Sequence, residues 1–185
     1  MNLANNLTVL RILLVPVFVG ALLYHSPGSK LSYGLGIGAF LLACLTDAVD
    51  GYLARRLGQK TVLGSYIDPI ADKLLLLAGF LSLSFMGHLP PAMKIPAWVT
   101  LPVVARDLLI LIGSAMIFVT TGSLRPQPNF TGKITTVFQM STLFISLIAA
   151  PRPLQHVFFI CTVTLTVLSG IFYIRLGGRL LQTSS

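Results

Sequence analysis

Six apolar stretches divide this chain: Leu7–Tyr24, Leu31–Leu57, Ser65–Met86, Ala97–Thr120, Gly132–Ala149 and Gln155–Leu176. A helix that crosses a bilayer takes about 20 mostly apolar residues, so six such helices use roughly 120 residues and leave only short connections. Apolar residues make up 55% of the 185, and charged residues only 10%; a soluble domain carries roughly 25% charged residues. A soluble enzyme of this length cannot bury so much apolar surface, and the same hydrophobicity excludes disorder. A nucleic-acid binder needs its basic residues gathered on a wet face, which these runs do not leave. The fold class that remains is an all-α polytopic membrane bundle of six transmembrane helices, one domain over residues 1–185 in contact with the lipid bilayer.

The connections carry ordinary turn chemistry, such as Pro27-Gly28 after the first stretch and three prolines between Gly87 and Pro96. Pro69 is expected in the first turn of the third helix, where proline is best tolerated. Gly34 and Gly38 form a small-xxx-small pair that permits close helix approach. Cys44 and Cys161 fall in apolar stretches without metal-ligand spacing and read as buried small residues. The run Ile12–Tyr24 lacks a small-residue cleavage site followed by a soluble domain, so it reads as a first span rather than a cleaved signal. With the N-terminus inside, the inner loops and ends collect Arg11, Arg55, Arg56, Lys60, Arg125, Lys133, Arg175 and Arg179, against Lys30, Lys94 and Arg152 outside. The positive-inside rule therefore expects both termini on the cytoplasmic side of the plasma (inner) membrane.

The acidic residues are the informative ones. There are five, all aspartates, and four lie between positions 47 and 72. Asp47 and Asp50 stand three apart near the cytoplasmic end of the second helix; Asp68 and Asp72 stand four apart near the start of the third. Both spacings put a pair on one helix face, and a short connection makes the two helices expected neighbours. Four carboxylates in a low-dielectric pocket repel unless protonated or met by cations. Lys73 supplies one positive charge. Oxygen-only ligands suit a hard cation such as Mg2+, Mn2+ or Ca2+, and two divalent ions would balance four carboxylates, an arrangement suited to displacement at phosphorus. Gly51 and Ala54 keep the helix surface low, Arg55, Arg56 and Lys60 can meet diphosphate charge, and Gly64 precedes helical amides that favour anions. An EF-hand is excluded, since its loop ends in Glu and the chain has none. On the residues alone, a cation-coupled transporter with an intramembrane carboxylate relay stays open.

The string Asp47-Ala-Val-Asp50-Gly51-Tyr-Leu-Ala54-Arg55, eight residues, Gly64, three residues, Asp68, three residues, Asp72 resembles the signature of the CDP-alcohol phosphatidyltransferase family at all its fixed positions. Asn5-Asn6-Leu7-Thr8 followed by Arg11 is similar to an N-terminal element of the same family, with Ala4 in place of a proline. The resemblance weakens after about Ile148. It implies that a CDP-linked lipid, CDP-diacylglycerol, binds with its diphosphate on two Mg2+ or Mn2+ ions. An alcohol then attacks phosphorus and CMP leaves. It implies Asp47, Asp50, Asp68 and Asp72 as metal ligands, with Asp72 also the general base, and Gly51, Ala54, Arg55, Gly64 and Thr61 as the CDP site. A homodimer is also implied.

The acceptor turns on fewer residues. Asn5–Pro16 and Gly132–Met140 most resemble members that use glycerol 3-phosphate. A phosphorylated acceptor needs cations near the base, and Arg106, Lys133 and Arg125 are the candidates. Two positions depart from that pattern, Thr135 where a second lysine is usual and Arg106-Asp107 where Arg-Glu is usual; the Arg-Asp form and the Arg125-Pro126 loop are similar to CMP-forming members that use phosphatidylglycerol. Arg106 is costly to place in a span and points to function. Asp107 follows it, but adjacent helix positions do not face each other.

Overall fold

The structure, a computed structural model, describes residues 3–26, 30–57, 62–121 and 130–182. Side chains are described for 7–26, 30–49, 71, 73–113, 131–173 and 175. Among them are six α-helices: α1 (Leu3–Leu23), α2 (Lys30–Leu57), α3 (Val62–Phe85), α4 (Ala97–Thr121), α5 (Phe130–Leu147) and α6 (Arg152–Gln182), with a 3-10 turn at Pro91–Met93. The chain is an all-α bundle of the expected element count. Several boundaries differ, with α1 starting at Leu3 rather than Leu7 and α6 at Arg152 rather than Gln155. α3 begins at Val62 rather than Ser65, which carries Pro69 past the first turn. α6 continues to Gln182 rather than ending near Leu176, because nothing in Arg175–Gln182 breaks a helix except Gly177 and Gly178, which cost about 1 kcal/mol each.

Among the described residues, three segments are long and apolar enough to cross a membrane: Lys30–Val49, Pro91–Gly113 and Arg152–Tyr173; Leu7–Leu23 and Lys73–Phe85 are shorter apolar helices. The outside of the bundle is apolar, with Leu13, Leu45, Leu101, Ile112, Ile160 and Leu168 all more than half exposed. Such a surface suits lipid rather than water.

α1 packs along α2 and also lies against α3. Phe18 of α1 and Phe40 of α2, ring centroids 5.9 Å apart, join Ala43, Leu75, Leu76, Phe80, Val99 and Phe159 in one core. The α5–α6 seam is instead polar. Thr135, Gln139, Thr142 and Ser146 on α5 and Thr162, Thr166 and Ser169 on α6 are all fully buried. Hydroxyls bridge it: the Thr142 and Thr162 oxygens lie 2.7 Å apart, and Thr135 Oγ1 donates to the Leu165 carbonyl at 3.3 Å. Where lipid removes the hydrophobic drive between helices, such bonds and small residues hold them together. At the other end, Gln155 Nε2 donates to the Ala92 carbonyl at 2.7 Å and Arg152 donates to the Pro91 carbonyl, which ties the α3–α4 connection to α6.

Small residues also set the α3–α5 approach. A Cβ built at Gly79 would come within 2.8 Å of a methyl of buried Leu143. Gly79→Val is expected to destabilise the bundle by about 1–3 kcal/mol, the usual cost of overpacking a dense interior. A fall in detergent-micelle melting temperature checks this, and Leu143→Ala in the same chain should recover part of the loss.

Candidate functional site

The eight motif positions fall in the C-terminal part of one helix and the N-terminal part of the next. Asp47, Asp50, Gly51, Ala54 and Arg55 fall within α2, and Gly64, Asp68 and Asp72 within α3. The side chains of Asp50, Gly51, Ala54, Arg55, Gly64, Asp68 and Asp72 lie outside the described residues, as do Thr61 and Arg125 altogether. Asp47 is described. It is partly exposed, and Arg11 Nη1 lies 3.0 Å from its Oδ1. Arg11 itself is fully buried. The cation of the N-terminal element thus reaches the first aspartate of the motif, fixing where that carboxylate points. Among the described residues no group of three or more His, Cys, Asp or Glu converges. The donor set proposed from sequence is oxygen only, and it includes the half-open carboxylate of Asp47. That chemistry fits a hard divalent cation.

A second polar cluster lies one residue from the motif. Lys73, which follows Asp72, donates from Nζ to Asp107 Oδ1 at 2.6 Å. Arg106 Nη1 donates to the same oxygen at 2.7 Å. The expectation that Arg106 and Asp107 do not face each other is therefore corrected. Their Cβ atoms do diverge, as neighbours on a helix must, but the long guanidinium arm folds back to its neighbour's carboxylate. Lys73, the counter-charge that the sequence offers to the motif aspartates, thus also serves Asp107. Arg106 Nη2 donates to Ser169 Oγ of α6 at 2.7 Å, and the guanidinium carbon lies 5.5 Å from the centre of the Tyr173 ring. Arg106 and Asp107 are 6% and 5% exposed, so two cations share one carboxylate in a dry interior. A cleft between α3 and α4 borders the cluster, lined by Lys73, Leu74, Leu77, Asp107, Leu108 and Leu111.

The cluster stands level with the end of the motif because Lys73 directly follows Asp72. It reaches α5 through Gly132, where a Cβ would come 3.4 Å from Arg106 Nη2. Lys133, next along, is exposed. Arg106 and the start of α5 are thus brought together, with Lys133 on the rim. Sequence reasoning missed Ser169 and Tyr173. Their signal was a serine and a tyrosine four residues apart in an otherwise apolar helix, a spacing that shares one face.

The family model for CDP-alcohol phosphatidyltransferases matches residues 1–168. The chain belongs to the CDP-alcohol phosphatidyltransferase family. Across 191 residues, covering all of this chain and 87% of the relative, it is 33% identical to a probable phosphatidylglycerophosphate synthase of Mycobacterium tuberculosis. It is 34% identical to a CDP-diacylglycerol–glycerol-3-phosphate 3-phosphatidyltransferase of Pseudomonas fluorescens, covering 99% of this chain and 93% of the relative. A CMP-forming cardiolipin synthase of Rattus norvegicus is 29% identical over 98% of this chain and 63% of its own length. Members of the family are membrane-bound, depend in general on divalent metal ions, and join CDP-diacylglycerol to an alcohol acceptor. The chain is accordingly a phosphatidyltransferase of phospholipid biosynthesis.

Proposed function

We propose that this phosphatidyltransferase makes phosphatidylglycerophosphate, transferring the phosphatidyl group of CDP-diacylglycerol to glycerol 3-phosphate with release of CMP. The observation that carries the choice of acceptor is the buried Arg106 guanidinium beside the motif helix. A guanidinium is well suited to meet a phosphate monoester, and burying one in a span without a use is costly. Relatives whose names state this reaction extend over the whole chain at 33–34% identity, which supports the same reading.

In this reading Asp47, Asp50, Asp68 and Asp72 hold two divalent ions, Mg2+ or Mn2+. The ions, when bound, would neutralise the diphosphate and make its phosphorus easier to attack. Gly51, Ala54, Arg55, Gly64 and Thr61 accommodate the cytidine diphosphate. Arg11 keeps Asp47 oriented. Asp72 takes the proton of the acceptor hydroxyl. Arg106 receives the acceptor phosphate, helped by Lys133 and Arg125 at the entrance. Both termini and the site face the cytoplasm of a plasma (inner) membrane, in keeping with eight basic residues inside against three outside. The homodimer implied by resemblance belongs to the proposal too; at Gly34 and Gly38 an added Cβ meets nothing within 4 Å, so that face of α2 is open to a second copy.

A second reading has its own observation. The Arg106-Asp107 pair resembles that of relatives using phosphatidylglycerol, and cardiolipin synthases stand among the similar proteins. Purified protein with CDP-diacylglycerol, Mg2+ and each alcohol in turn separates the two by CMP release. Release with glycerol 3-phosphate, stopped by EDTA and restored by Mg2+, is the expected result. Release with phosphatidylglycerol but not glycerol 3-phosphate would promote the cardiolipin reading. Ion flux in vesicles without CMP release would return the transporter.

A further inference from the structure

The guanidinium of Arg106 is held on more sides than a positive charge in a protein interior requires. Asp107 takes Nη1 at 2.7 Å and supplies a counter-charge that it shares with Lys73. Ser169 takes Nη2 at 2.7 Å, and the Tyr173 ring covers the guanidinium at 5.5 Å, within reach of a cation–π contact. A hydroxyl and an aromatic face add little charge compensation. What they add is direction: one fixes the rotation of the plane, the other its tilt. Gly132 completes the enclosure, since a Cβ there would lie 3.2 Å from the Tyr173 hydroxyl and 3.4 Å from Arg106 Nη2. One donor remains. Arg106 Nε is buried and has no hydrogen-bond partner among the described residues. An unmet buried N–H is costly, and on a guanidinium fixed from both other nitrogens it marks the edge left for an anion.

Ser169 and Tyr173 lie past residue 168, where the match to the family model ends, on a helix that carries none of the motif. We propose that Ser169 and Tyr173 are positioning residues for the acceptor. They orient the Arg106 guanidinium so that its remaining edge meets the anionic group of the incoming alcohol, and the last helix thereby sets acceptor affinity. The inference rests on the acceptor reading of Arg106 given above. Neither residue touches the transferred group, so the effect falls on acceptor KM and not on the use of CDP-diacylglycerol.

The test uses the full chain in lipid nanodiscs with Mg2+, varying glycerol 3-phosphate and CDP-diacylglycerol separately and following CMP. Ser169→Ala removes one oxygen without disturbing packing, and is expected to raise the acceptor KM about tenfold, the worth of a hydrogen bond to a charged group, with the KM for CDP-diacylglycerol unchanged. Ser169→Thr, which keeps the hydroxyl, should restore the wild-type value. Tyr173→Leu should raise the acceptor KM several-fold, and Tyr173→Phe, which keeps the ring face, should not. A structural role alone would move both KM values or kcat together, and that pattern overturns the proposal. If Arg106→Lys raises the acceptor KM while Ser169→Ala and Tyr173→Leu leave it alone, the positioning role fails and the acceptor reading stands. If Arg106→Lys also leaves it alone, the acceptor reading fails and this inference with it.

Discussion

Asp72→Asn is expected to lower turnover by about 10²–10⁴-fold, the contribution of a positioned general base, while CDP-diacylglycerol still binds within a few-fold of the wild-type affinity. The change is nearly isosteric. It removes the capacity to accept a proton, whereas Asp47, Asp50 and Asp68 remain to carry the metal and diphosphate in the proposed site. The surroundings should hold still as well. Lys73, the next residue on α3, is anchored to Asp107 at 2.6 Å, so the turn bearing position 72 is tied to α4 independently of Asp72. Single-turnover release of CMP and equilibrium binding of the CDP-lipid check the two halves separately. Wild-type turnover in the variant would remove Asp72 from the base role. A large loss of CDP-lipid binding would make it chiefly a ligand of the metal.

How much of this could be read before any coordinates depended on the range of the interaction concerned. The six helices follow from apolar length, a local property, and each was found within a few residues of its expected place. The motif is likewise local, since its aspartates are spaced by three and four on two helices. The ends were harder. α6 runs on to Gln182 because its basic segment can stay helical beyond the apolar part, and hydropathy marks only where apolarity stops. The Arg11–Asp47 pair joins residues 36 positions apart on different helices, and it was visible only as two separately noted motif elements. The Lys73–Asp107–Arg106–Ser169 chain was not legible at all. It needs α3, α4 and α6 to meet at one level, which depends on packing. It also needs a guanidinium long enough to return to its neighbour, which a rule about Cβ directions does not capture. The polar α5–α6 seam escaped for a related reason: threonine and serine scattered in an apolar run look incidental until two helices align them.

The same chain of charges yields the largest expected effect on stability. Asp107 accepts from Lys73 and Arg106 on one oxygen and is 5% exposed. Asp107→Asn keeps the size and removes the carboxylate charge that Lys73 and the buried Arg106 share. Removing one partner of a buried ion pair costs about 3–5 kcal/mol, because the uncompensated charge and not the lost attraction dominates. Unfolding of the full-length protein in detergent micelles, followed by helicity, would register it as a large drop in the transition midpoint. Asp107→Glu retains the carboxylate on a longer arm and should be tolerated far better than Asp107→Asn, since the charge that meets both cations is kept. The double change Lys73→Met with Asp107→Asn removes one of the stranded cations and should recover part of the loss, a coupling that a double-mutant cycle measures directly. An Asp107→Asn protein that melts with the wild type would mean that water or lipid phosphate reaches Lys73 and Arg106 freely. The cluster would then be an open, hydrated group of charges rather than the sealed brace between α3, α4 and α6.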